Sequence, residues 1–204
     1  MSRWIWTGAK LALVAALCGG SGGCATLYVD NALGDTPLSA YHRPATPKPV
    51  QTLFVFKTKG VDNVRATTVT RKDVLDTVQQ SGLFSAIGPD PVPDGAVLSI
   101  TVDNVPITSP QEAAAKGFAT GLTLGLAGSE VTDGYVCTIE YIPATGANKI
   151  SVTEHHAIHA TIGAHSAPAN ATRAPTMQEG VKIMLHQVVA AGLKDVSSDP
   201  AFDQ

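Results

Sequence analysis

The feature that most constrains this chain is a seven-residue apolar run, Leu11 to Leu17 (LALVAAL), with small residues and a cysteine close behind it. A helix needs about 20 apolar residues to cross a bilayer, so this run is too short to span one. Arg3 and Lys10 place positive charge before it, and Gly19 to Gly23 is a run of small residues. Positive start, short apolar core and small residues before a cut together describe an export signal. Residues 1–23 are therefore set apart from the fold, and 181 residues remain, enough for a single domain with a real core.

The segment Ser21-Gly22-Gly23-Cys24 resembles a lipobox, in which small residues admit the scissile bond and the cysteine takes the lipid. Cys24 is the expected attachment point, with palmitate among the acyl groups. Ser21 stands where leucine is more common, and Cys18 is the poorer candidate because bulky Leu17 precedes it. The alternative is cleavage after Ala25, leaving a soluble periplasmic protein. Ala25 occupies the place where retained lipoproteins often carry aspartate, so the resemblance implies sorting to the outer membrane, facing the periplasm. Membrane contact through this lipid is the first expected partnership.

Losing the signal sharpens the composition. Twelve basic residues remain against 17 acidic ones, a net charge of −5. No Lys/Arg run survives to grip a phosphate backbone, which argues against a nucleic-acid partner. Trp4 and Trp6 are lost, and with them the commonest stacking platform for sugars. Of the cysteines only Cys137 is left beside Cys24, so no disulfide framework is expected within one chain. Its place in an alternating apolar run suits a buried thiol.

Residues 24–50 read as a tether, with Pro37, Pro44, Pro47 and Pro49 and no sustained hydrophobic period. A single α+β domain is expected over 51–195. Leu53 to Phe56 reads as a first strand. Thr70 reads as the cap of a helix that carries Val74, Leu75 and Val78 on one face and stops at Gly82. Ala96 to Val105 gives a second strand, the alternation from Tyr135 to Tyr141 a third, and Ile150 to Ile162 a fourth, antiparallel to the third. Thr176 and Glu179 form a capping box for a last helix ending near Lys194. Residues 196–204 read as a disordered tail. The expected fold is a small mixed four-stranded sheet with two or three helices on one face, ordered β-α-β-(Gly-rich apolar helix)-β-β-α.

The run Gln80-Ser81-Gly82-Leu83-Phe84-Ser85-Ala86-Ile87, followed by Ala96 to Ile100, resembles a signature of bacterial outer-membrane lipoproteins in which a helix ends in SGLF and leads into a strand. In element order, residues 51–195 are similar to the small α+β domain at the amino end of the Tol–Pal system's periplasmic protein, and to curli-secretion-channel lipoproteins. The resemblance implies fold far more than activity.

Two stretches invite chemical readings. Four of the six histidines lie between positions 155 and 165. On a helix, His155 and His159 would share a face and Glu154 could join them around a metal ion. The order E-H-H-x-x-H is not that of zinc peptidases, and Val152, Thr153, Ile158, Thr161 and Ile162 favour a strand. There the two histidines lie about 13 Å apart, and the expected role is a solvated polar face of an edge or hairpin strand. The second stretch opens with Ser109-Pro110-Gln111-Glu112, a strong helix start. Gly117, Gly121 and Gly125 then recur every fourth residue, a bare ridge that would admit another backbone and serve self-association. Residues 120–127 also alternate as a strand would. No nucleophile elbow, phosphate-cradling loop or cofactor motif is present.

The expected function is a non-enzymatic envelope assembly or interaction module, with no cofactor and an unidentified envelope protein as partner. One alternative is a subunit of an oligomeric envelope channel or secretion complex built through residues 113–128. Another is a metal-binding or hydrolytic protein using the strand from His155 to His165.

Overall fold

The computed structural model describes residues 25–93, 95–107, 130–144, 148–162 and 167–202. Among the described residues, ten regular elements form one layer of sheet and one of helix. They are β1 (Ala25–Asp30), β2 (Val50–Thr58), β3 (Val61–Asp62), α1 (Val64–Ser81), β4 (Ile87–Gly88), β5 (Ala96–Ile107), β6 (Glu130–Ile142), β7 (Ile150–Ile162), β8 (Ala171–Ala174) and α2 (Met177–Ser198). A single turn of 3₁₀ helix, Leu38–Ala40, lies between β1 and β2.

The four-stranded expectation is corrected here: the sheet has eight strands, in the order β3-β2-β5-β6-β7-β1-β8, with β4 also on β2. The four long strands read from the sequence are its centre. β2 and β5 run parallel, as a strand–helix–strand crossover requires, while β5, β6 and β7 are antiparallel neighbours. The additions are short strands or distant pairings. β3 closes a hairpin on β2 through Lys59 and Gly60, both at positive φ, which is the backbone of a two-residue primed turn.

β1 is the larger correction. Residues 25–30 were expected to belong to a tether, yet they lie inside the sheet, paired with β7 on one side and β8 on the other. Val29 is buried, and Tyr41 further along the same segment joins the core. The prolines at 37, 44, 47 and 49 do not make this stretch a leash. They carry an extended path across the end of the domain, pinned by His42 N–H donating to Ser197 Oγ and by Arg43 Nε donating to the Ser81 carbonyl.

α1 starts earlier than expected. Asn63, not Thr70, is its N-cap, accepting from the Ala66 N–H. Thr67, Thr68 and Thr70 hid this first turn because β-branched residues are weak helix formers. Here their hydroxyls find work: Thr70 donates to the Ala66 carbonyl, and Thr67 Oγ1 accepts from the Phe56 N–H on the outer edge of β2. With Arg71 donating to the Phe54 carbonyl, α1 occupies backbone groups that would otherwise template another strand. Gly82 ends α1 in the left-handed conformation, as its position after the apolar stripe implied.

α2 begins as the capping box requires, Thr176 Oγ1 accepting from the Glu179 N–H. It runs on to Ser198, and Phe202 beyond it is only 5% exposed. The tail expected to be disordered is therefore packed through residue 202. Val74 and Val78 of α1 and Met184, Leu185, Val188, Val189 and Leu193 of α2 meet Phe54, Leu98, Ile100, Cys137, Ile139 and Ile158 of the sheet in one core. α2 sits close to the strands. A β-carbon on Gly192 would come within 2.8 Å of Ile139 Cδ1. No helix among the described residues is long and apolar enough to cross a membrane.

If β1 is structural, Val29→Ala should lower unfolding free energy by about 1–3 kcal/mol in urea titration, the range for a truncated core side chain. A tether residue would leave the midpoint unchanged.

Candidate functional site

The strand ends divide the domain. At one end lie Ala25 of β1, Ile162 of β7, Glu130 of β6 and Ile107 of β5; at the other lie Val50 of β2, Ala96 of β5, Ile142 of β6 and Ile150 of β7. β5 spans on the order of 35 Å between them. Cys24 lies outside the described residues, but its neighbour Ala25 opens β1. Gly117, Gly121 and Gly125 also lie outside the described residues.

A cavity of about 410 Å³ opens at the end remote from Ala25. Its apolar wall is made by three rings from distant parts of the chain: Phe84 after α1, Tyr141 near the end of β6 and Phe202 after α2. Their centroids lie 6.1 Å (Phe84–Tyr141), 6.0 Å (Phe84–Phe202) and 5.0 Å (Tyr141–Phe202) apart, in tilted and edge-on arrangements that suit ring quadrupoles. Leu83 and Ala96 extend the floor, and Pro44, Pro49, Val92 and Pro93 form the rim. Lys48 is the one charged lining residue among the described residues. The loop that carries it is held in place by Ser85 N–H donating to the Lys48 carbonyl and Val50 N–H donating to the Ala86 carbonyl. Leu83 and Phe84 stood out in sequence only as part of the run that resembles the lipoprotein signature. Phe202 had been discounted with the tail, and nothing in sequence linked either to Tyr141.

The histidine strand is not the solvated edge that was expected. β7 lies between β6 and β1, and His156 and His159 are both 0% exposed. His156 Nδ1 accepts from the Ala157 N–H, which leaves the proton on Nε2 to be donated to Gln187 Oε1 at 2.7 Å. Gln187 Nε2 in turn donates to Asp35 Oδ1 at 3.0 Å. Burial holds the His156 pKa below its ordinary value, against the opposing pull of the Gln187 bond, so this histidine is a neutral structural link to the amino-terminal segment. His159 Nδ1 lies 3.1 Å from Thr132 Oγ1, and its Nε2 lies 3.5 Å from Asp30 Oδ2.

His155, His159 and Glu154 do not converge. Alternation along β7 turns Glu154 toward α2, where its Cγ would be 3.6 Å from a β-carbon on Gly192, and turns both histidines the other way. Among the described residues no three His, Cys, Asp or Glu side chains are placed to share a metal ion. Burial also raises the Cys137 thiol far above its ordinary pKa, with Glu154 adding to the rise, so it is held as a protonated core residue.

No family model matches the chain, and no curated protein matches it. Among solved structures it is similar to the PelC dodecamer of Paraburkholderia phytofirmans, at 12% identity over 86% of this chain and 99% of that one, with a TM-score of 0.37. A second PelC dodecamer structure from the same organism gives 14% identity, 85% and 98% coverage and a TM-score of 0.35. A proposed lipoprotein from Caulobacter crescentus CB15 gives 11%, 78% and 86%, and 0.31. Scores this low leave functional argument to the chain's own residues.

Glu154 offers a pH test. Burial first, and then its hydrogen bond with Asp195, push its pKa up to about 7 from 4.5, while Lys194 pulls the other way. The fold therefore binds this proton more tightly than the unfolded chain does. The resulting stability is complete below 4.5 and is lost as pH rises through about 7. Glu154→Gln should gain on the wild type in melting temperature as buffers go from about pH 5 to about pH 8. Comparing the two proteins removes His156, whose depressed pKa acts with the opposite sign in both.

Proposed function

We propose that this chain is a lipid-anchored, non-enzymatic interaction module of the cell envelope. In this reading acyl groups on Cys24 hold the Ala25 end of the sheet against the outer membrane, and the aromatic cavity faces the periplasm to receive an apolar group of a partner. The observation that carries the reading is the placement of β1. Ala25 opens the strand, one residue after the expected lipid site, and the cavity lies at the opposite strand ends. A domain anchored this way stands upright on its sheet, without a leash. The signature at Gly82-Leu83-Phe84, which resembles outer-membrane lipoproteins, gains a physical role, since Leu83 and Phe84 line that cavity.

The non-enzymatic part is supported by what the chemically capable side chains are doing. Cys137 is buried and protonated, and His156 is occupied as a link between β7 and α2. Apolar cavities of a few hundred Å³ with few polar groups bind ligands; catalysis needs a positioned acid, base or nucleophile, and among the described residues the lining's candidates are Lys48, Tyr141 and the Thr46 hydroxyl.

Cys24→Ala should abolish palmitate labelling and move the protein from the membrane fraction to the soluble periplasmic fraction, with its melting curve unchanged. Continued labelling and membrane retention of that variant would refute the anchor.

A further inference from the structure

We infer that the cavity at the Val50–Ala96 end of the sheet is a binding site for a small monoanionic amphiphile, an acyl or aryl body carrying one carboxylate. The inference deepens the cavity reading above and rests on it. Two properties of the site select this chemistry. Phe84, Tyr141 and Phe202 give a wall of three rings that only an apolar body can fill. At the rim stands Lys48, exposed, which among the described residues is the one charged residue of the lining and has no ion pair. A cation at the mouth of an aromatic hollow discriminates between ligands by their head: an anion gains an ionic contact, a neutral head gains nothing, and a second cation is repelled. At about 410 Å³ the cavity is within the usual range for small-ligand sites and holds one such molecule.

Position supports a ligand over a passive packing defect. The walls come from five separate parts of the chain, and several are fixed independently of any ligand. The Lys48 loop is bonded to Ser85 and Ala86, Arg43 to the end of α1, and Phe202 follows a turn in which its own N–H donates to the Asp199 carbonyl. A hollow held open by several fixed segments costs little further ordering when it is filled.

The test uses the full chain carrying Cys24→Ala, which brings no acyl groups of its own to compete. Two fluorescent probes of the same shape separate body from head: the anion 1-anilinonaphthalene-8-sulfonate and its neutral counterpart N-phenyl-1-naphthylamine. Both should bind with one-to-one stoichiometry, and dodecanoate should displace them better than dodecanol does. Lys48→Ala should weaken the anionic probe and dodecanoate by about threefold, the scale of an exposed ion pair, with the difference shrinking at high salt, and leave the neutral probe unchanged. Ala45→Trp, a rim substitution outside the core, should block both probes. If both probes bind and Lys48→Ala changes neither, the anion inference is overturned while the cavity reading stands. If neither binds, or Ala45→Trp leaves binding intact, both are overturned.

Discussion

Strand β1 is paired on both edges, and much of the domain depends on that. Between β7 and β8 it makes β7 an interior strand, and His156 and His159 of that strand are buried, which requires partners for them. Buried polar groups are tolerated only when satisfied. The amino-terminal segment supplies Asp35, which reaches His156 through Gln187, and places Asp30 Oδ2 3.5 Å from His159 Nε2. Apolar contact does the rest: Val29 lies under the first turn of α2, where a β-carbon on Gly180 would be 3.6 Å from Val29 Cγ2 and 3.8 Å from Ile158 Cδ1.

The same strand sets the course of the chain that follows. From Asp30 the backbone crosses the end of the domain to Val50, and on the way it supplies Pro44, Lys48 and Pro49 to the cavity. Strand β1 and the cavity rim thus belong to one continuous piece of chain, fastened at β1, at His42, at Arg43 and at the Lys48 carbonyl.

How much of this was legible in sequence depends on the range of the interaction concerned. The four long strands and the last helix were readable because their signals are local: alternation in β5, β6 and β7, and Thr176 with Glu179 at the start of α2. β1 was not. ATLYVD carries a weak alternation and sits beside the signal, and its neighbours in the sheet are about 130 residues or more away at Ile158–Ile162 and Ala171–Ala174. The error spread from there. Without β1, β7 looked like an edge, and its histidines looked solvated.

Sequence by itself determined the periodic elements and their caps at Gly82 and Thr176, because each follows from residues within a turn or two of one another. Only the tertiary structure decided that residues 25–50 belong to the domain, that β7 is interior, and that Phe84, Tyr141 and Phe202 meet around one cavity. These are contacts between segments remote in the chain. They are selected by the burial of whole faces against one another, a collective property that no local pattern encodes.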